Sequence, residues 1–221
     1  MSDLVTVTGM VLSAGPVGDF DKRIVLLTKE RGKIACFAKG ARRQNSPLMG
    51  ITRPFAFGTY TLYEGRTSYT LRNADVTRYF EEVAGDLDAL MVAYYFAEIA
   101  DYYGREGLDA SEGVNLLYAA LLALCSKKMN RYLIRYTYEL KAIQIAGEIP
   151  DFFDPQSKWI RNLSPSAVYA LQFIVTTPLS KLFSFNVTDE VLRELKRVAA
   201  GITTECFDKK MKSAELLETL R

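Results

Sequence analysis

Residues Lys22 to Arg53 read KRIVLLTKERGKIACFAKGARRQNSPLMGITR, and this stretch decides the fold of the N-terminal part. Ile24–Leu27 and Ile34–Phe37 are short apolar runs with the composition of strands. Thr28-Lys-Glu-Arg-Gly32 joins them, a connection of hairpin length with a glycine near its end. The polar segment Lys39 to Pro47 then leaves the second run, punctuated by Gly, Asn, Ser and Pro. Nine residues of the stretch are basic: Lys22, Arg23, Lys29, Arg31, Lys33, Lys39, Arg42, Arg43 and Arg53. Glu30 is its one acid, so it carries +8. The whole chain of 221 residues is only +2, which leaves −6 for everything else. A near-neutral total therefore hides a local excess of cations, and cations on a hairpin and its exit loop suit a phosphate backbone. The plainer reading is a solvated hairpin whose lysines blunt a sheet edge. Edge protection seldom needs so one-sided a charge.

Strand signals continue on both sides. Val5–Ser13 alternates imperfectly through Gly9, Phe55–Tyr63 alternates aromatic and small residues, Glu64-Gly65-Arg66 is a turn, and Tyr69–Val76 makes a fifth run. Five short strands, glycine-rich turns and no helix of any length predict a small, partly open barrel of the OB type over residues 1–80. From Glu81 the period becomes helical. Asp86 is placed to cap a helix ending at Gly104, Ser111 begins a second, and Asn130 caps a third that runs to Gly147 before Pro150. Leu133, Tyr136, Leu140 and Ile143 form the core face of that third helix. Asp151 to Leu163 is irregular, Ser164-Pro165 opens a fourth helix, Thr188 caps a fifth reaching Ala200, and Ser213–Leu220 is a short last one. The expected class is α+β: a five-stranded OB-fold barrel over 1–80, then an all-α domain over 81–221. Charge divides at the same point, +6 before it and −4 after.

Composition narrows the chemistry. Apolar residues make up 49% of the chain, enough for a core, and no apolar run has the length of a membrane helix. The opening MSDLVTVTG lacks a basic, then apolar, leader, so a soluble cytoplasmic protein is expected. The three cysteines, Cys36, Cys125 and Cys206, are scattered and give neither a disulfide framework nor a CxxC knuckle. Histidine is absent, which removes the commonest general base and every Ser/Cys–His arrangement. No Walker or G-x-G-x-x-G pattern occurs. Asp19 and Asp21 flank Phe20 in a glycine-containing loop, but two carboxylates alone do not hold a metal. Glu81-Glu82 reads as helix-start charge and Glu98 as a structural hydrogen-bonding acid. No enzyme and no cofactor are expected. Phe37 and Tyr69 would stack bases if exposed; the alternative, preferred for Phe37, is that they fill the barrel interior.

Taken in order, several short segments match one family. They are Gly9-Met-Val-Leu12, Arg23-Ile-Val-Leu-Leu-Thr28, Gly32-Lys33, Ala38-Lys-Gly-Ala-Arg-Arg43, Ser46 and Pro54-Phe55. Ala97-Glu98-Ile99, Tyr138-Glu139-Leu140 with Gly147 and Pro150, and Lys212-Ser213-Ala-Glu-Leu-Leu217 follow. With these, the chain resembles the bacterial RecO family of recombination and repair mediators over nearly its full length. The resemblance implies an OB-fold domain followed by a helical one. It implies binding of single- and double-stranded DNA and annealing of complementary strands. It further implies, with the partner RecR, loading of RecA recombinase onto DNA coated by single-strand-binding protein (SSB), whose acidic C-terminal tail the helical domain would bind. Two departures stand out. Many members carry a four-Cys zinc module after the Gly-x-x-Pro, whereas Asp151 to Lys158 here contains no Cys, so no zinc is expected. The residue before the aromatic–Glu pair is often basic in relatives but is Thr137 here.

The phosphate contacts are therefore expected from Lys22, Arg23, Lys33, Lys39, Arg42, Arg43 and Arg53, with Lys39, Arg42 and Arg43 foremost because they match the family loop. Arg131 and Arg135, one helical turn apart, are candidates for an acidic tail; the alternative is that Arg135 simply pairs with Glu139 at i,i+4. A different class of function remains open as well, an interaction scaffold whose basic hairpin docks an acidic protein partner. An enzyme acting on nucleic acid is disfavoured by the lack of His and of a carboxylate cluster.

Overall fold

The computed structural model describes residues 3–219. Five strands, β1 (Asp3–Val17), β2 (Asp21–Thr28), β3 (Gly32–Ala38), β4 (Phe57–Glu64) and β5 (Tyr69–Arg78), close into a barrel in the order β1-β2-β3-β5-β4. β1 pairs antiparallel with both β2 and β4, and a short parallel pairing of Cys36 with Tyr69 and Phe37 with Thr70 closes the circuit. This is the OB-fold connectivity expected from the sequence. The barrel differs from the reading in two details. β1 runs to Val17, past Gly15 and Pro16, because β2 supplies register partners as far as Val17↔Asp21. A four-residue helix, α1 (Leu48–Ile51), interrupts the polar segment before β4, where no helix was expected.

Alternation along each strand separates the two faces of the barrel wall. Val7, Val11, Ile24, Leu26, Ile34, Cys36, Ala38, Tyr60, Leu62, Tyr69 and Leu71 fill the interior. Burial pushes the Cys36 thiol up to about 12, so it packs as a small hydrophobe. Arg23, Val25 and Leu27 of β2, and Lys33, Ala35 and Phe37 of β3, therefore form the outer face of the hairpin, cross-paired as Arg23↔Phe37, Val25↔Ala35 and Leu27↔Lys33.

The chain divides into two compact units. One combines the chain up to Glu81 with Ala100–Val114; the other takes Glu82–Ile99 and the chain from Asn115 onward. The segment 100–114, read as helical-domain sequence, thus groups with the barrel. The reason is a set of backbone bonds to the hairpin turn. The Lys33 N–H donates to the Arg105 carbonyl at 3.2 Å, Gly107 N–H to Arg31 at 3.0 Å, and Ala110 N–H to Lys29 at 3.0 Å. Gly32 stands at φ +63° against this segment, and a Cβ there would collide with the Arg105 carbonyl.

The helices are α2 (Glu81–Ala84), α3 (Leu87–Tyr103), α4 (Ser111–Ser126), α5 (Arg131–Ile145), α6 (Pro165–Thr176), α7 (Leu179–Leu182), α8 (Asp189–Cys206) and α9 (Lys212–Thr219). Their starts follow the sequence signals. Asp86, Asn130, Ser164 and Thr188 accept the N–H groups of Ala89, Tyr132, Ala167 and Val191. At the end of α5, Gly147 (φ +80°) donates to the Gln144 carbonyl while Glu148 donates to Ile143, the paired bonds of a Schellman cap. α8 continues six residues beyond the predicted Ala200, and the four-residue α7 was not foreseen. α9 begins one residue earlier than expected, and the predicted end at Leu220 lies outside the described residues.

α5 packs against α6 and α8, and every residue from Leu133 to Ile143 except Arg135 is buried, not one stripe alone. Its polar residues consequently need internal partners. Lys141 Nζ donates to the Val175 carbonyl at 2.9 Å, and Tyr138, stacked on Phe96 at 4.0 Å, donates its hydroxyl to the Phe96 carbonyl. Glu98 is the structural acid predicted. It accepts the N–H groups of Lys212 and Ser213 at 2.9 and 2.8 Å and so caps α9. Burial alone would raise its pKa, but those two N–H groups hold it below the ordinary value.

Candidate nucleic-acid interface

The nine cations of the founding stretch separate into two groups at opposite ends of the hairpin. Lys22, Arg23, Lys39, Arg42, Arg43 and Arg53 lie at the open end, where β2 begins and β3 finishes. Lys29, Arg31 and Lys33 lie at the turn.

At the open end the β1–β2 loop is tied to the segment leaving β3. The Arg42 N–H donates to the Phe20 carbonyl at 2.8 Å, and Arg42 Nη1 donates to the Gly18 carbonyl at 3.1 Å. Gly40, at φ +68°, donates its N–H to Asp21 Oδ1 at 2.7 Å. The Arg43 guanidinium sits over the Phe20 ring, 5.3 Å from its centre. On the other side Lys22 Nζ donates to Thr52 Oγ1 at 3.1 Å, which places Lys22 next to Arg53. Burial, then the nearby charges of Arg42 and Arg53, lower the Lys22 pKa from the ordinary lysine value. Lys22 thus lies within electrostatic reach of both Arg42 and Arg53. Arg23, Lys39, Arg42, Arg43 and Arg53 are exposed. Among the described residues none of these six cations forms an ion pair.

The turn end is different. Arg31 pairs with Glu64 at 2.7 Å, and Lys33 pairs with Asp101 at 3.3 Å while donating to the Asp101 carbonyl. Glu30 accepts the Thr8 N–H. Lys33, predicted to join the phosphate contacts, is therefore separated from the other six by the length of β3 and has a carboxylate of its own. The cause is the segment 100–114, whose acid Asp101 the linear charge pattern could not assign to the hairpin.

The structure separates the two aromatics, and for Phe37 it goes against the preferred interior placement. Tyr69 is interior, 7% exposed, with its hydroxyl among Arg31 and Glu64. Phe37 is not interior: it lies on the outer face opposite Arg23, partly exposed. The alternation Ile34-Cys36-Ala38 contained that answer. Phe20, noticed in the sequence only as the residue between two aspartates, is 52% exposed in the middle of the cationic end.

In the helical unit Arg131 binds Asp88 at 2.7 Å and Asp86 at 3.4 Å. Arg135 Nε donates to Glu139 Oε1 at 2.8 Å and stacks on Tyr95 at 4.9 Å, so the i,i+4 alternative is the one the structure displays. Burial pushes the Glu139 carboxyl upward, against the pull of the Arg135 guanidinium and the Tyr95 hydroxyl. Thr137, the departure from the family pattern, is completely buried and offers nothing at the surface. Beside Arg135 is a groove of about 500 Å³, lined by Tyr95, Tyr132 and Phe207, by Lys196, Lys209 and Lys210, and also by the acids Glu139, Asp208 and Glu215. Among the described residues no three His, Cys, Asp or Glu side chains gather as a metal site.

This architecture agrees with the comparisons by sequence. The family model "Recombination protein O N terminal" matches residues 1–80, and "Recombination protein O C terminal" matches 84–154. The chain belongs to the RecO family. Relatives of the same family, each named DNA repair protein RecO, align over about two thirds of the chain or more. That of Acetivibrio thermocellus is 28% identical over 240 residues, covering 96% of both chains, and that of Clostridium perfringens strain 13 is 25% identical over 246 residues, covering 99% of both. That of Alkaliphilus metalliredigens is 31% identical over 147 residues, 66% of this chain and 60% of its own length. RecO membership gives the chain a role in DNA repair. No helix among the described residues is long and apolar enough to cross a membrane.

Proposed function

We propose that the chain is a non-enzymatic, DNA-binding recombination mediator, cytoplasmic, whose contact surface is the open end of the barrel. Lys22, Arg23, Lys39, Arg42, Arg43 and Arg53 hold phosphates; Lys33 is left out because it already serves Asp101. The observation that carries the reading is six cations drawn to one end of the barrel without an ion pair among the described residues. Cations of this kind read phosphates and not base edges, so binding accepts single and double strands of any sequence. By screening strand against strand while leaving base edges free, the same surface would promote annealing. In this reading the chain acts with RecR in loading RecA onto SSB-coated DNA. The groove beside Arg135 then receives the acidic SSB tail, an assignment supported by its lysines and aromatic rings.

The test is the salt dependence of oligonucleotide binding. With about five phosphates neutralised on a single strand, log K against log salt has a slope near −3.5. Replacing Lys39, Arg42 and Arg43 together by Ala should flatten it by about 2 and slow annealing of complementary oligonucleotides. A slope near zero in the parent protein, or an unchanged slope in the triple variant, rejects the surface. The other class, a scaffold for an acidic protein, is separated by titrating an acidic peptide ending in Phe: peptide binding without any oligonucleotide binding at low salt would favour it.

A further inference from the structure

Phe20 is a large apolar side chain that the fold holds in water. It is 52% exposed at the β1–β2 loop, although the same chain buries Tyr60 and Tyr69 inside the barrel wall. Nor is it on a loose tip. Its carbonyl accepts the Arg42 N–H, the Gly18 carbonyl two residues earlier accepts Arg42 Nη1, and Asp21 just after it accepts the Gly40 N–H. Three hydrogen bonds to one basic segment thus fix the backbone on both sides of the ring. The Arg43 guanidinium rests over the ring, 5.3 Å from its centre. With Arg43 beside it the ring still leaves about half of its surface in solvent, room for a further group to rest on it. Among phosphate-seeking cations, the ligand part that matches a phenyl face with a guanidinium is a nucleobase, which presents a π-face whatever its identity.

We infer that Phe20, held by the Arg42 and Arg43 segment, is a base-stacking platform that makes this surface prefer single-stranded over duplex nucleic acid. In a duplex the base faces are already stacked on one another, and only phosphates reach the protein. In a single strand a base is free to lie on the ring while the neighbouring phosphates meet Arg42, Arg43 and Arg53. Phe37, on the outer face opposite Arg23, places a second aromatic beside a cation. The inference rests on the reading of the open end as the nucleic-acid surface.

The experiment compares the full chain with Phe20→Ala, Phe20→Leu and Phe20→Trp on three probes of equal length: an oligothymidylate, its duplex with oligoadenylate, and an abasic strand. Stacking by one base is lost in Phe20→Ala, which should weaken oligothymidylate binding roughly 5- to 100-fold. Phe20→Leu keeps the apolar bulk without the π-face and should lose nearly as much. Phe20→Trp should retain affinity, with its added fluorescence quenched by the oligothymidylate and not by the abasic strand. Duplex and abasic binding should stay within about twofold in every variant, with an unchanged salt slope, since no phosphate contact is removed. Equal losses on abasic and base-bearing strands, or no loss on the oligothymidylate, overturn the platform. The parent protein's binding to the abasic strand reads the cations alone, so failure there discards the underlying surface, whereas failure of the variants alone discards only Phe20's role.

Discussion

The two ends of the β2–β3 hairpin are both basic to a reader of the sequence and do different work in the fold. At the turn, Arg31 and Lys33 lean on Glu64 and Asp101, and the backbone of residues 29–33 is bonded to the segment 100–114. At the open end, the Lys22 pKa is lowered by burial and then by the charges of Arg42 and Arg53, and none of the three has an ion pair among the described residues. A cation with its own carboxylate is part of the scaffold; one crowded by like charges has its counterion still to find. Arg135, inside the helical unit, is the extreme of the first kind.

The strongest way to sharpen this contrast is therefore at Arg135. Its partner Glu139 is only 3% exposed, so Arg135→Ala strands a buried carboxylate. Losing one member of such a pair costs about 3–5 kcal/mol, whereas replacing both with apolar residues recovers much of it. Urea unfolding should show a large fall for Arg135→Ala and a partial return for Arg135→Met with Glu139→Leu. Oligonucleotide affinity, measured where each variant is folded, should not move. A stable Arg135→Ala protein that binds DNA poorly would reverse the division of labour.

Next comes the turn itself. Gly32→Ala puts a side chain at φ +63° and onto the Arg105 carbonyl. A strained position of this kind costs on the order of 1–3 kcal/mol. Thermal melting should register that loss while the salt slope of binding stays unaltered, because the open end is built by other residues. A flattened slope would show that the two ends are one functional surface after all.

What could be read beforehand was whatever local chemistry decides. Asn130, Ser164 and Thr188 announce helix starts because a capping side chain acts within three residues, and Gly147 announces an end for the same reason. The barrel strands were legible from composition and spacing, and the interior position of Cys36 from alternation. The division of the cations was not, since it depends on Asp101, which lies 68 residues after Lys33. Phe37 and Tyr69 were legible in principle: extending the alternation of each strand puts Phe37 outside and Tyr69, two before Leu71, inside. Phe20 gave only a weak signal, an aromatic in a loop where glycine and aspartate are the usual residues.

A smaller effect concerns Lys22. Its pKa is lowered by burial first and by Arg42 and Arg53 after that, so in the alkaline window below the ordinary lysine value the unfolded chain binds the proton and the folded one does not. The contribution of this group to stability therefore rises as pH climbs through that window. Arg42→Ala removes one repelling charge, so Lys22 should titrate at higher pH and the rise should shrink. Side-chain NMR titration checks both. A Lys22 midpoint indifferent to Arg42 would mean that the two cations do not converge.

The smallest effect is also the closest comparison, Lys33 at the start of β3 against Lys39 just past its end. The Lys33–Asp101 pair is partly exposed, with 28% and 41% of the two side chains accessible, and such pairs contribute about 0.2–1 kcal/mol. Lys33→Met should lower stability by that much and leave the salt slope alone. Lys39→Met should leave stability alone and reduce the magnitude of the slope by about 0.7, the share of one phosphate on a single strand. The two substitutions delete the same charge, one at the start of β3 and one just past its end, so net charge cannot explain any difference between them. If both flatten the slope equally, binding follows total charge and the open end has no special standing; if only Lys39 does, position along the hairpin is what selects the ligand.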